Sequence, residues 1–228
     1  MKKFSFDTIK NFDSHIHNSI KGYDLLDYLI LNICSFFIKD NTLVIDLGCT
    51  TGRLLNKIYK AYKVDCIGYD ITDNQFLSYP SESIEKIDFQ PIEIKCKLIK
   101  QDITKDNFKI LKSNLIISVF TLQFININKR LSLLKKVYNS LNINGAFILC
   151  EKEICNDGII QEVFTFSNYT NKKKIFTAKE ILDKEYDLRK IMNSLNAHQN
   201  IELLKKAGFK NIEPFFQSLN FKGYLCRK

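Results

Sequence analysis

The stretch Val44-Ile45-Asp46-Leu47-Gly48-Cys49-Thr50-Thr51-Gly52 joins an apolar run to Asp-x-Gly and a turn of small residues. A join of this kind brings a carboxylate and backbone N–H groups to one strand end, where a polar ligand can be gripped. Gly48 lets the chain turn without a Cβ. Gly52 opens a predicted helix over residues 52–62, whose first turn carries unpaired N–H groups able to meet a carboxylate or hydroxyl. Asp46 stands where it can accept hydrogen bonds from an ammonium group. The spacing Gly48-x-x-x-Gly52 puts Thr50 where the dinucleotide fingerprint G-x-G-x-x-G has its middle glycine. The ligand it predicts therefore lacks a pyrophosphate.

Asp70 closes a second β-like run, residues 63–69, at the distance from the glycine turn expected of a group that grips ribose hydroxyls. A third run, residues 94–100, leads into Gln101-Asp102-Ile103, a carboxylate and an apolar side chain suited to an adenine amine and ring face. Alone, Asp70 and Asp102 read better as ordinary loop acids that cap the next helix. In series behind the glycine turn they predict S-adenosylmethionine (SAM), as substrate or cosubstrate. Cys49 lies in the turn, but no histidine or base stands beside it in sequence, so small size accounts for it better than nucleophilicity.

Three strand ends side by side require a parallel sheet, and strand and helix signals do alternate along the chain. Helices are expected over residues 22–39, 52–62, 128–141 and 197–207, the last closed by Gly208. Strands are expected over 42–47, 63–69, 94–100, 115–120 and 146–151; the continuous apolar run 115–120 reads as a central parallel strand. Residues 72–88, broken by Pro80, read as a short helix and loop. Residues 214–220 and 222–227 are similar to the closing antiparallel pair of a class I methyltransferase sheet. The expected fold is thus α/β and Rossmann-like, a seven-stranded, mostly parallel sheet with helices on both faces. One domain is expected over residues 1–228: a helical cap (1–40), a nucleotide-binding core (41–153), and a helical segment with a closing hairpin (154–228).

Composition fits that scheme. The chain has 228 residues, 45% of them hydrophobic, enough for a full core. The most apolar stretch, residues 28–38, is too short for a bilayer and carries Asn32 and Ser35, so no membrane segment is expected. Residues 1–4 look like no targeting signal, with Asp7 and Asp13 soon after. Seven cysteines without a C-x-x-C pair fit a reducing cytoplasm. His15, His17 and His198 lack metal spacing, and no metal is expected. The net charge of +9 and the run Lys172-Lys173-Lys174 would suit a nucleic acid, but the aromatic and basic patches of recognised modules are missing. Direct nucleic-acid binding is not expected, and the lysine run reads as a solvated loop.

Downstream, Phe120-Thr121-Leu122-Gln123-Phe124, Gly145-Ala146-Phe147-Ile148-Leu149-Cys150-Glu151-Lys152, Leu204-Lys205-Lys206-Ala207-Gly208-Phe209 and Phe216-Gln217-Ser218-Leu219-Asn220-Phe221 follow in order. With Phe6-Asp7 and Ser19-Ile20-Lys21-Gly22-Tyr23, they make nearly the whole chain resemble the carboxy-S-adenosyl-L-methionine synthase family. That resemblance implies a homodimer that carboxylates the S-methyl group of SAM with carbon dioxide derived from prephenate, for later carboxymethylation of tRNA wobble uridine. It places Tyr23 at the ligand from the N-terminal helices, Gly48, Cys49 and Thr50 at the methionine end, Asp70 and Ile71 on the ribose and adenine side, and Asp102 and Ile103 at the adenine. Tyr23 reads equally as a buried aromatic that anchors its helix.

Two positions depart from the family pattern. Val119 replaces an asparagine at the ligand, and Glu185 stands where an arginine would grip the added carboxylate. A carboxylate beside a carboxylate in a low-dielectric pocket costs several kcal/mol. Lys184, adjacent, or Arg189, one helical turn on, could supply a displaced cation; Arg189 could also simply pair with Glu185 on a helix surface. The alternatives to carboxy-SAM synthesis are SAM-dependent methyl transfer to an unidentified small molecule and a non-catalytic SAM-binding partner protein.

Overall fold

Burial on both faces decides the architecture. In the computed structural model, which describes residues 12–39, 41–72 and 96–228, the apolar runs become strands whose alternate side chains enter two separate cores. The strands are β1 (Leu43–Leu47), β2 (Asp65–Asp70), β3 (Cys96–Lys100), β4 (Ser113–Val119), β5 (Leu141–Lys152), β6 (Asn211–Ser218) and β7 (Phe221–Arg227). The helices are α1 (Phe12–Ser19), α2 (Tyr23–Phe37), α3 (Arg53–Tyr62), α4 (Ile127–Ser140), α5 (Gly158–Lys172), α6 (Ala178–Arg189) and α7 (Ala197–Ala207). The sheet has seven strands in the order β3-β2-β1-β4-β5-β7-β6. The first five in that order pair in parallel, and β7 runs antiparallel to both β5 and β6.

On one face Val44, Leu115, Ile117 and Ile148 pack against Leu26 and Ile30 of α2 and Leu55 and Ile58 of α3. On the other, Ile45, Ile116, Phe147 and Leu149 meet Leu133 and Val137 of α4 and Leu204 of α7. The neighbours Val44 and Ile45 thus enter opposite cores, as the period of two requires. Chain order reverses between β1 and β4, which opens a crevice outside their carboxyl ends.

The expected elements form, with boundary shifts of a few residues at most sites. β5 starts earlier than the apolar run at residue 146, because Leu141 already pairs with Ser113 across a bulge that precedes the main register. The region after residue 153 holds three helices. One of them, α6, starts with a capping box between Thr177 and Glu180 that the apolar pattern does not announce. The expected helix and loop at residues 72–88 lie outside the described residues from position 73 on, as do residues 1–11 and the start of the 94–100 strand. No helix among the described residues is long and apolar enough to cross a membrane.

Candidate active site

The turn after β1 is built from left-handed backbone: Gly48 has φ 85°, Thr50 φ 50° and Gly52 φ 74°. A Cβ on Gly48 would collide with the side chain of Thr121, so only glycine lets this turn pass beside the exit of β4. Gly52 is the N-cap of α3 and does not line the cavity described below; a Cβ there would stand 2.7 Å from Leu98. The amides of Gly48 and Cys49 donate to the Tyr69 carbonyl at 2.7 and 3.2 Å, which ties the turn to β2.

Asp70 and Asp102 end in the same local device. Each opens an Asp-Ile-Thr tripeptide, and each Oδ1 accepts from the amide and the hydroxyl of the threonine two residues on: Thr72 at 2.9 and 2.8 Å, Thr104 at 2.9 and 2.7 Å. These are Asx and ST turns of the kind loop acids make, so that local role is present alongside the position at the cavity. Asp70 Oδ2 also accepts from the Thr50 amide at 2.8 Å, so this carboxylate joins two strand ends. The repeat is visible in the sequence as Asp70-Ile71-Thr72 and Asp102-Ile103-Thr104.

A cavity of about 510 Å³ opens over the crevice, a size suited to a nucleoside with an attached amino acid. Tyr23, Asp46, Gly48, Cys49, Thr50, Asp70, Ile71, Asp102, Ile103 and Val119 all line it. Asp46 is 4% exposed and its Oδ1 has no hydrogen-bond partner among the described residues. Burial, with the Asp70 charge nearby, pushes its pKa up to about 7. Burial and the Asp46 and Asp70 charges push the Cys49 thiol up as well, which leaves it a poor nucleophile.

Arg53 fastens the helical cap to this turn. Its guanidinium pairs with Asp27 of α2, donates to the Tyr23 hydroxyl at 3.2 Å and lies 3.7 Å from Asp13 of α1. Thr51 adds a 2.9 Å bond to Asp13. Tyr23 is therefore both a helix anchor and a wall of the cavity. Arg53 belongs to no local motif; its only signal in the sequence is a cation directly behind the second glycine.

At the other end of the cavity the wall is basic. Lys152 from the end of β5, Lys172 from the last turn of α5, and Lys184 and Glu185 from α6 all line it. Lys172 Nζ donates to Glu185 Oε1 at 3.0 Å, and Lys152 Nζ lies 3.6 Å from Oε2. Burial pushes the Glu185 carboxyl up, but these two ammonium groups outweigh it and hold the pKa below the ordinary value. Lys172 is thus buried, contrary to the solvated loop expected of the lysine run; only Lys173 and Lys174 are exposed. Arg189 also differs from expectation. It is solvent-exposed at the end of α6 and does not line the cavity, because residues 184, 185 and 188 turn toward it instead. Glu185 finds its partners on other elements rather than on its own helix.

Residues 44–145 match the family model of a methyltransferase domain. Curated relatives match almost from end to end. The carboxy-S-adenosyl-L-methionine synthase of Staphylococcus epidermidis is 31% identical over 97% of this chain and 94% of its own length. That of Nautilia profundicola is 29% identical over 100% of this chain and 95% of its own. The chain belongs to the carboxy-S-adenosyl-L-methionine synthase family. It is an enzyme of the SAM-dependent transferase kind, and SAM is the ligand of that kind. Among solved structures, human N-acetylserotonin methyltransferase in complex with SAM superposes with a TM-score of 0.54 at 17% identity, over 82% of this chain and 47% of that one. The apo methyltransferase SibL gives 0.58 at 12% identity, over 90% and 55%. The chain spans about half the length of these two proteins, which share its fold.

Proposed function

We propose that the protein synthesises carboxy-SAM from SAM and prephenate. The observation that carries this reading is the polarity of one cavity: Asp46, Asp70 and Asp102 at the strand ends, and Lys152, Lys172 and Lys184 at the opposite end. The acidic end suits a sulfonium, an ammonium and ribose hydroxyls; the basic end suits a carboxylate. A sulfonium acidifies the protons of its methyl group, which is the chemistry SAM supplies. Loss of the ring carboxyl of prephenate as carbon dioxide expels its hydroxyl and leaves phenylpyruvate. The carbon dioxide forms a new C–C bond at the methyl carbon, and the departing proton and hydroxide make water, so the atoms balance.

In this reading the orphaned Asp46 Oδ1 accepts from the ammonium of the methionine portion, Asp70 faces the ribose, and Asp102 and Ile103 face the adenine. Val119 and Phe120, with Phe221 and Leu188, form an apolar middle that keeps water from the reacting carbon. The product serves the carboxymethylation of tRNA in the cytoplasm. Mass spectrometry of the nucleotide that copurifies with the protein should show carboxy-SAM. S-adenosylhomocysteine as the sole nucleotide would favour methyl transfer instead.

We infer further that the enzyme is a homodimer. Ile159, Val163 and Phe166 recur at helical spacing on α5 and are 74%, 54% and 65% exposed, with Leu182 and Tyr186 of α6 also exposed. A second copy would cover them. Sedimentation of Phe166→Glu should then show monomers where the parent shows dimers, and dimers in both would remove this surface from the interface.

A further inference from the structure

Two thiols lie side by side at the start of the β2–β3 ladder. Cys66 and Cys96 are register partners on parallel neighbours, so both side chains point to the same face and enter the same core. Among the described strands no other cysteine has a cysteine as its partner: Cys150 is flanked by Val119 and Gly223, and Cys226 by Phe147 and Ile212. Neighbouring strands run about 4.8 Å apart, and a disulfide needs Cα atoms about 4.4 to 6.8 Å apart. The backbone therefore already holds the spacing such a bond requires. Neither thiol lines the SAM cavity.

The two thiols are not equivalent. Cys66 is fully buried, whereas Cys96 is half-buried on an edge strand, within reach of a small reagent. The hydrogen bond from Cys66 holds the Cys96 thiol below the ordinary value although burial opposes it, while the same bond and burial push the Cys66 thiol up. The outer sulfur is thus the readier nucleophile. The inner one stands beside it and needs no solvent access to react with it. Cys34, Cys49, Cys150 and Cys226 have no such arrangement; burial pushes each of their thiols up, and they pack as small hydrophobic groups.

We propose that Cys66 and Cys96 form a thiol–disulfide site that takes low-molecular-weight disulfides, and that its closure fastens the edge strand β3 to β2. The Cys96 thiolate attacks one sulfur of the reagent, forms a mixed disulfide and expels one reagent thiolate. Cys66 then gives up its proton and attacks the Cys96 sulfur, which expels the second thiolate. The protein loses two electrons and two protons, and the reagent disulfide takes them up as two thiols, so the exchange balances. β3 is hydrogen-bonded to β2 alone in the sheet, and Asp102 and Ile103 follow directly on its carboxyl end. A covalent tie between Cys66 and Cys96 secures the strand that presents them to the cavity.

The test is incubation of the folded, reduced full chain with oxidised glutathione, followed by alkylation in denaturant and peptide mapping. The parent should become lighter by two hydrogens, keep two thiols from alkylation and yield one linked peptide pair, Cys66 with Cys96. Its melting temperature should rise by about 5 °C or more and fall back with reductant, the return expected when a bond closes the loop between the two positions. Calorimetry should show SAM affinity tighter than, or within about twofold of, that of the reduced chain. Cys66→Ala should stop at the mixed disulfide, heavier by one glutathionyl group on Cys96, and Cys96→Ser should form no link and show no gain in melting temperature. Should either variant fold poorly, the linkage map and melting curves of the parent still decide. A parent in which Cys66 and Cys96 stay unlinked, in which Cys96 keeps its glutathione, or in which the link joins other cysteines overturns the site. A linked parent that melts no higher, or that loses SAM, overturns the fastening of β3.

Discussion

The carboxylate of Asp70 and the amide of Thr50 meet at 2.8 Å, so the end of β2 fixes the left-handed turn that follows β1. The same carboxylate is oriented by Thr72 through its other oxygen. In the proposed binding mode a ribose meets here an acceptor whose direction is already set, so little is lost in ordering it.

Asp70→Ala should therefore act twice. It removes the acceptor for the ribose hydroxyls and frees the Thr50 amide, and hydrogen bonds to charged groups are worth about 1.5 to 3 kcal/mol each. A loss of SAM affinity of about tenfold or more is expected by calorimetry. Asp70→Asn, which keeps one acceptor for Thr72, should lose less. Equal affinity for Asp70→Ala and parent would place the ribose elsewhere.

Asp46 predicts opposite pH trends for stability and binding. Its pKa in the folded protein is raised from 3.8 to about 7, so the folded chain holds a proton that the unfolded chain has released between those values. The stability this contributes is complete below about pH 4 and is lost as pH rises toward 7. Binding of a cationic ligand needs the ionised form and so runs the other way: below pH 7 the SAM affinity should fall by up to about tenfold per pH unit. Asp46→Asn should flatten both profiles, as melting curves and titrations between pH 5 and 8 would record. An affinity for SAM that does not change with pH in the parent would remove Asp46 from the ammonium.

Arg53 joins the cap to the core through Asp27, Tyr23 and Asp13. Arg53→Met leaves Asp27 with Lys57 at 2.8 Å as its remaining ion pair. Breaking a buried pair by removal of one partner costs about 3 to 5 kcal/mol, and Lys57 should keep this case near the lower bound. Denaturant unfolding should show that loss, together with weaker SAM binding as Tyr23 loses its support. A change below about 0.5 kcal/mol would mean that the cap is held by its apolar contacts alone.

Much of this was legible from local pattern. The parallel strands are buried on both faces and therefore read as unbroken apolar runs, so β1, β2 and β4 could be placed to within a residue or two. Asp46, Gly48, Asp70 and Asp102 could be placed at the cavity with them, because a strand end and the glycine behind it fix one another. What pattern could not supply was long-range. Lys172 looks like a surface residue in sequence, since nothing local reports that α5 and α6 close their charges against each other beside Lys152 at the end of β5. The bounds of α5 within the expected helical segment escape local pattern for a related reason: Ile159, Val163 and Phe166 form its apolar stripe on a face that this chain leaves open. Spacing along α6 alone sets Arg189 on the face of Glu185, whereas packing turns Lys184, Glu185 and Leu188 to the cavity.

The reaction itself is open to a direct measurement. Purified protein incubated with SAM and prephenate should yield, by mass spectrometry, a nucleotide heavier than SAM by one carboxyl group, together with phenylpyruvate in equal amount. SAM-binding protein that leaves prephenate unchanged and forms no such nucleotide would contradict the account.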